Sequence, residues 1–368
     1  MTVDPGPRLR LDAFHRVCLF STVPGVGTTA AKAFISRVNL RKNRTESIEA
    51  MGGHQGDPLG EWGLLPSDDA LHEPSTDDPW WTETVWFGWM VPERKILGYF
   101  YPGFRANLGI MFGNVLVTDP SADLPWEIPF FEEYWHLKLP AEVDLRDATF
   151  ENGMALKCLE PGRIFEFSFR HRHLELDLRY EALMKPLVTR GTPPFNHGNH
   201  IDQPGHVTGS MKLRGEELRV DCFSMRDRSW GIRRDGRQPR VGYCYATASG
   251  ESGFLSISVM TQGTDVITTG FLMRDGEWSR LASGTREVTR DARGRPIEIR
   301  IHGVDELGRS VISTGTVASR QVFKCYPSMF CWNSLVEWKL DGQRCWGEDQ
   351  DIWHPEKWRE YALGLKDR

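Results

Sequence analysis

The chain has 368 residues, 40% of them hydrophobic, and a formal charge of −5 with a pI near 6.2; this is room for two domains and no footprint for nucleic acid. Its seven cysteines are odd in number and form no C-x-x-C, which argues against a disulfide framework or zinc ribbon and for a reducing, cytoplasmic setting. No apolar run is long enough to span a bilayer and no secretory h-region follows the N-terminus, so at most peripheral membrane contact is expected.

Residues 1–79 read as a loop-rich N-terminal extension. Lys32, Arg37, Arg41, Lys42 and Arg44 occur without acids between Thr28 and Arg44, and Ala30, Ala33, Phe34 and Val38 could line one face of a short helix. A membrane-surface or targeting helix and a plain irregular extension both account for this. Pro24 to Thr29 lacks the glycine and Lys-Ser/Thr pair of a phosphate loop. From Trp81 the texture is β: Trp81 to Trp89, Tyr99 to Pro102, Gly109 to Phe112, and Asn114 to Val117. Leu174, Leu176 and Leu178 alternate strictly with charged residues, and Phe165, Phe167 and Phe169 alternate before them, with a tight turn between.

Thr192-Pro193-Pro194 is read as a domain link. Beyond it, alternation resumes at Val241 to Thr247, Leu255 to Val259 and Ile297 to Ile301, and Asp341-Gly342 is a hairpin signal. His354 to Leu363 reads as a helix with Pro355 in its first turn. Many short strands and few helices imply an all-β protein, with antiparallel barrels at 80–190 and 195–353 and a terminal helix over 354–368.

Chemistry concentrates between His197 and Arg234. Asp227 shares its side of a strand with Met225, and apolar company would raise its pKa toward that of a proton donor. Pairing with Arg226, Arg228 or Arg233 is the structural alternative. His200 beside Asp202 suits proton traffic, and turn-capping suits it equally. His197 and His200, with His206 or Asp202, have no established metal spacing, so no metal is expected. Glu348, Asp349 and Asp351 are either acids at a strand end or solvated loop charges. Nothing points to a nucleotide or redox cofactor.

Gly205-His206-Val207-Thr208-Gly209-Ser210 followed by Asp227-Arg228-Ser229-Trp230-Gly231 resembles the two-domain lipocalin-like family that includes carotenoid 1,2-hydratase and kievitone hydratase. Gly98 to Pro102 and Trp346 to Gln350 extend the likeness over about residues 80 to 355. The resemblance implies two lipocalin-like barrels, no cofactor, and addition or removal of water at an alkene of a hydrophobic molecule. Asp227 then matches the proton donor and His200 the upstream histidine; that Asp202 orients His200 is read from the residues themselves. Trp230, Tyr245, Met225 and His206 are the expected contacts to a terpenoid, steroid-like or aromatic substrate. Two positions depart from the family: Asp202 stands where it has Trp, and Met225 where it has Tyr. A non-catalytic carrier of a hydrophobic ligand and a polyene isomerase or cyclase are the alternatives.

Overall fold

The structure, a computed structural model, describes residues 58–191, 198–234, 240–326 and 329–366. The readings of residues 1–57, and that of His197, lie outside the described residues. A short helix α1 (Pro58–Glu61) and a 3-10 turn (Pro66–Asp69) precede the sheets.

The first sheet begins with a meander of β1 (Trp81–Val91), β2 (Ile96–Arg105), β3 (Ile110–Thr118) and β4 (Phe130–Lys138). It continues with β5 (Asp147–Thr149), β6 (Met154–Glu160), β7 (Ile164–His171) and β8 (Leu174–Ala182), then the short β9 (Leu187–Arg190). The hairpin of β10 (Gly198–Leu213) and β11 (Glu216–Ile232) completes it. The strand order is β4-β3-β2-β1-β11-β10-β8-β7-β6-β5, with β9 also on β10. The long hairpin therefore forms the centre of the sheet and joins the two meanders.

This moves the expected boundary. The residues on either side of 192–197 are not in different domains: β9 and β10 pair antiparallel, Arg190 opposite Asn199. The hairpin assigned to the second barrel belongs to the first sheet, because β11 covers what would otherwise be the bare edge of β1, from Trp81 opposite Ile232 to Phe87 opposite Arg226. The second unit begins at β12.

That unit comprises β12 (Arg240–Ser249), β13 (Ser252–Thr261), β14 (Thr264–Arg274), β15 (Glu277–Arg290), β16 (Pro296–Asp305), β17 (Ser310–Tyr326), β18 (Met329–Leu340) and β19 (Gln343–Trp353). Each strand pairs with the next and β19 returns to β12, closing the barrel. Helix α2 (Pro355–Lys366) follows. The protein is thus all-β, with two lipocalin-like units, the first a half-barrel and the second closed.

Asp341 and Gly342 both take positive φ, 47° and 83°, the backbone that a two-residue hairpin turn requires. A close approach explains Gly205: a Cβ there would stand 2.0 Å from the Tyr180 ring, whose hydroxyl donates to the Gln203 carbonyl at 2.7 Å.

β12 is buried on both faces, beyond its simple alternation. Its Cys244 and Ala246 join Phe254, Ile299 and Trp338 in the interior cluster of the closed barrel. Its Tyr245, with Leu255, Ile257 and Phe271 on the barrel's outer wall, joins the core of the half-barrel around Phe87, Phe100 and Phe167. The half-barrel thus packs its apolar residues against the outside of the closed barrel.

Candidate active site

Asp202 on β10 lies directly opposite Asp227 on β11. His200, two residues before Asp202, projects on the same face. The result is a compact set of three groups. His200 Nε2 and Asp202 Oδ1 are 2.9 Å apart, and His200 Nδ1 lies 3.7 Å from Asp227 Oδ1. His200 and Asp202 are buried, while the Asp227 side chain keeps 21% of its surface exposed. Tyr243 of β12 reaches across from the closed barrel and donates its hydroxyl hydrogen to Asp202 Oδ1 at 2.8 Å.

Arg226 and Arg228, two of the alternative partners for Asp227, form ion pairs elsewhere, while the charge of Arg233 acts on Asp227. Arg226 pairs with Asp69 at 2.8 Å, and Arg228 forms a buried ion pair with Glu83. Arg233 donates to Ser229 Oγ at 3.2 Å and to Thr84 Oγ1 at 3.4 Å, while Ser229 and Thr84 hydrogen-bond each other at 2.7 Å. Burial pushes the Asp227 carboxyl up, and the cation of His200 pulls it back only in part, so the net shift is upward. Burial pulls the His200 imidazole down, but the Asp202 and Asp227 carboxylates together raise it above the usual histidine range.

A cleft of about 120 Å³ has walls that include Thr84, Tyr101 and Arg233 from the half-barrel and Lys324 and Cys325 from β17. Asp227 is not among its lining residues; its negative charge reaches the Tyr101 wall and helps to raise that phenol, after burial as the main cause. Trp86 sits opposite Asp227 on β1 and supplies an aromatic neighbour. At the rim, Lys324 Nζ stands 4.6 Å above the ring of Trp135, which is 48% exposed.

Of the residues expected from sequence, His200, Asp202 and Asp227 come together; the expected contacts do not gather round them. Trp230 packs with Leu64, Trp81 and Ile201 and stacks on His72 at 4.3 Å, on the other side of the sheet from Asp227. His206 is at the surface, 2.7 Å from Asp221. Met225 is buried in the main core. Tyr245 bonds Ser224 at 3.1 Å and Glu348 at 3.3 Å. The phenol that meets the set is Tyr243, two residues earlier on the same face. Its visible signal is parity with Tyr245; its reach to Asp202 depends on how the two units pack. Asp349 and Asp351 lie within the closed barrel, bound by Arg286.

The ligand atoms of His200, Asp202 and Asp227 lie within 4.8 Å of one another, close enough to share a cation. Asp202 Oδ1 already receives Tyr243 and contacts His200, and the field of Arg233 opposes a further positive charge. The arrangement suits moving a proton better than holding a metal.

A family model for a domain of unknown function, DUF7064, matches residues 65–350. No curated protein matches the sequence. Among solved structures, a protein described as AttH from Nitrosomonas europaea aligns with TM-score 0.57 and 13% identity over 82% of this chain and 97% of its own. The structure of CghA with Sch210972 aligns with TM-score 0.50 and 12% identity over 75% and 89%. Kievitone hydratase from Nectria haematococca aligns with TM-score 0.48 and 12% identity over 74% and 88%. At these identities the likeness is one of fold.

Proposed function

The chain belongs to the DUF7064 family, a domain of unknown function, and we propose that it is a cofactor-free hydratase or dehydratase acting by proton transfer on a lipophilic terpenoid, steroid-like or aromatic molecule. The observation that carries this reading is the buried His200–Asp202 pair with the partly exposed Asp227 beside it.

In the hydration direction, the protonated Asp227 carboxyl gives its proton to one alkene carbon. The π electrons form the new C–H bond, and the neighbouring carbon becomes cationic beside the face of Trp86. Water attacks that carbon and loses a proton to His200, which is neutral in the reactive state where the proton shared by the His200–Asp227 pair sits on the acid; Asp202 stabilises the imidazolium that forms. The proton then returns from His200 to Asp227 across the 3.7 Å gap, restoring the acid. Dehydration is the same path reversed. Tyr243 holds Asp202 in place.

The test is an untargeted comparison of a metabolite extract incubated with and without the protein, followed by kinetics of Asp227→Asn on whichever compound changes. The expected product differs from its substrate by one water. Loss of the acid should lower kcat by at least about a hundredfold. Unchanged turnover in Asp227→Asn would remove that residue from the mechanism. Recovery of an unaltered bound compound would favour a carrier, and a product of unchanged mass an isomerase or cyclase.

A further inference from the structure

One row of side chains breaks the apolar outer wall of the closed barrel. Gln321 on β17 lies opposite Asn333 on β18, Asn333 opposite Gln350 on β19, and Gln350 opposite Tyr243 on β12. Cross-strand partners share a face, so these polar groups run in line across four strands. The next row on one side holds Phe323, Cys331 and Ile352; on the other it holds Leu335 and Leu255 around Glu348 and Tyr245. The row ends at the proton-transfer set, because Tyr243 donates to Asp202.

Glu348 widens the row. Its Oε1 accepts from Asn333 Nδ2 at 2.7 Å and from Gln350 Nε2 at 2.8 Å, and its Oε2 accepts from the Tyr245 hydroxyl at 3.3 Å. These partners are all neutral. From the half-barrel, Tyr99 faces the same place: its ring lies 5.4 Å from that of Phe323 and 6.4 Å from that of Tyr101 on the cleft wall. Several polar atoms here are buried and have no hydrogen-bond partner among the described residues: both amide atoms of Gln321, Asn333 Oδ1 and the Tyr99 hydroxyl. Buried polar groups are ordinarily satisfied, and such a concentration between two apolar surfaces calls for an occupant that meets them.

We infer that the row of Gln321, Asn333 and Glu348, faced by Tyr99, is a second recognition element of the same site and takes an uncharged oxygen function, a hydroxyl or carbonyl, of an otherwise apolar ligand. The amide of Gln321 offers both a donor and an acceptor, and Tyr99 a donor, which suits either group. A carboxylate group would lack a partner of opposite charge within the row and would face the Glu348 carboxyl. The inference rests on the proposed function only for the lipophilic class of the ligand.

Farnesol and farnesene share a terpenoid skeleton and differ in one hydroxyl. Titrating the full-length protein with each, followed by tryptophan fluorescence, measures the preference. Wild type should bind farnesol at least about tenfold more tightly, since a site built to meet a hydroxyl discriminates against the compound lacking it. Gln321→Met, nearly isosteric and free of polar atoms, should reduce that preference to under about threefold and leave farnesene affinity unchanged. Tyr99→Phe should act in the same direction with the ring retained. Equal affinities in wild type, binding of neither probe, or an undiminished preference in both variants would overturn the inference. Asp227→Asn should keep the full preference, so loss of the catalytic reading and loss of this one give different results.

Discussion

Glu348 and Asp349 are neighbours in the chain with opposite environments, because successive residues of a strand face opposite sides. Asp349 turns into the closed barrel and meets Arg286 through two bonds, at 2.7 and 2.8 Å. Glu348 turns outward into the apolar contact with the half-barrel and finds only neutral donors. Burial therefore pushes the Glu348 carboxyl up to about 8, and it is protonated at neutral pH. The unfolded chain releases that proton near 4.5, the ordinary glutamate value, so between there and about 8 the folded state binds more protons and stability falls as pH rises. His200, raised by its two carboxylates, and Asp227, raised by burial, act in the same direction. A comparison with Glu348→Gln isolates the one residue. That variant should match wild type near pH 4.5 and exceed it at pH 8 by on the order of a few kcal/mol in urea unfolding. Parallel pH profiles for the two proteins would show that Glu348 is not held neutral.

The β10–β11 hairpin organises both faces of the first sheet. Its turn at Arg214-Gly215 sets the register, and Asp202 and Asp227 meet because they stand equally far from that turn. This much is legible in the sequence, as is His200, an even step from Asp202. Parity also excludes Trp230 from the wall beside Asp227: three residues apart on a strand is an odd step, and the indole emerges on the far side. Tyr243 is illegible for a different reason. It comes from the other unit, and only the packing of the two sheets aims it at Asp202. The placement of the hairpin in the first sheet was hidden likewise, because pairing of β11 with β1 joins segments well over a hundred residues apart. On the far face Arg228 ties β1 to the segment before it, binding Glu83 and donating to the carbonyls of Ala70 at 2.8 Å and Thr84 at 3.1 Å. Arg228→Met leaves the Glu83 carboxyl buried and uncompensated by that cation, and should destabilise by about 3–5 kcal/mol. Adding Glu83→Gln should recover a substantial part of the loss, read from urea midpoints of the single and double variants. Strictly additive losses would mean that the two residues do not act as a pair.

At the scale of the whole molecule, the half-barrel and the closed barrel share one apolar core, while the closed barrel also holds a smaller one of its own. The shared core takes Phe87, Phe100 and Phe167 from one side and Tyr245, Ile257, Phe271 and Phe323 from the other. Neither unit would retain its apolar face in water without the other, so they should unfold together. Phe323 is the place to ask. It is buried, and its ring meets Tyr99 of the half-barrel at 5.4 Å. Removing the ring opens a cavity at the contact and should cost about 3–5 kcal/mol. If folding is one cooperative event, Phe323→Ala lowers protection against amide exchange equally in β7 of the half-barrel and in β14 of the closed barrel, although neither strand contains the substitution. Tryptophan fluorescence and far-ultraviolet circular dichroism should then trace one coincident transition in both proteins. If the units fold independently, protection falls only in β14 and its neighbours, and the two spectroscopic transitions separate. A separable pair would place the proton-transfer set, which spans the contact through Tyr243 and Asp202, on a joint able to open without global unfolding. A single transition would mean that the geometry around Asp202 and Asp227 is held with the full stability of the fold.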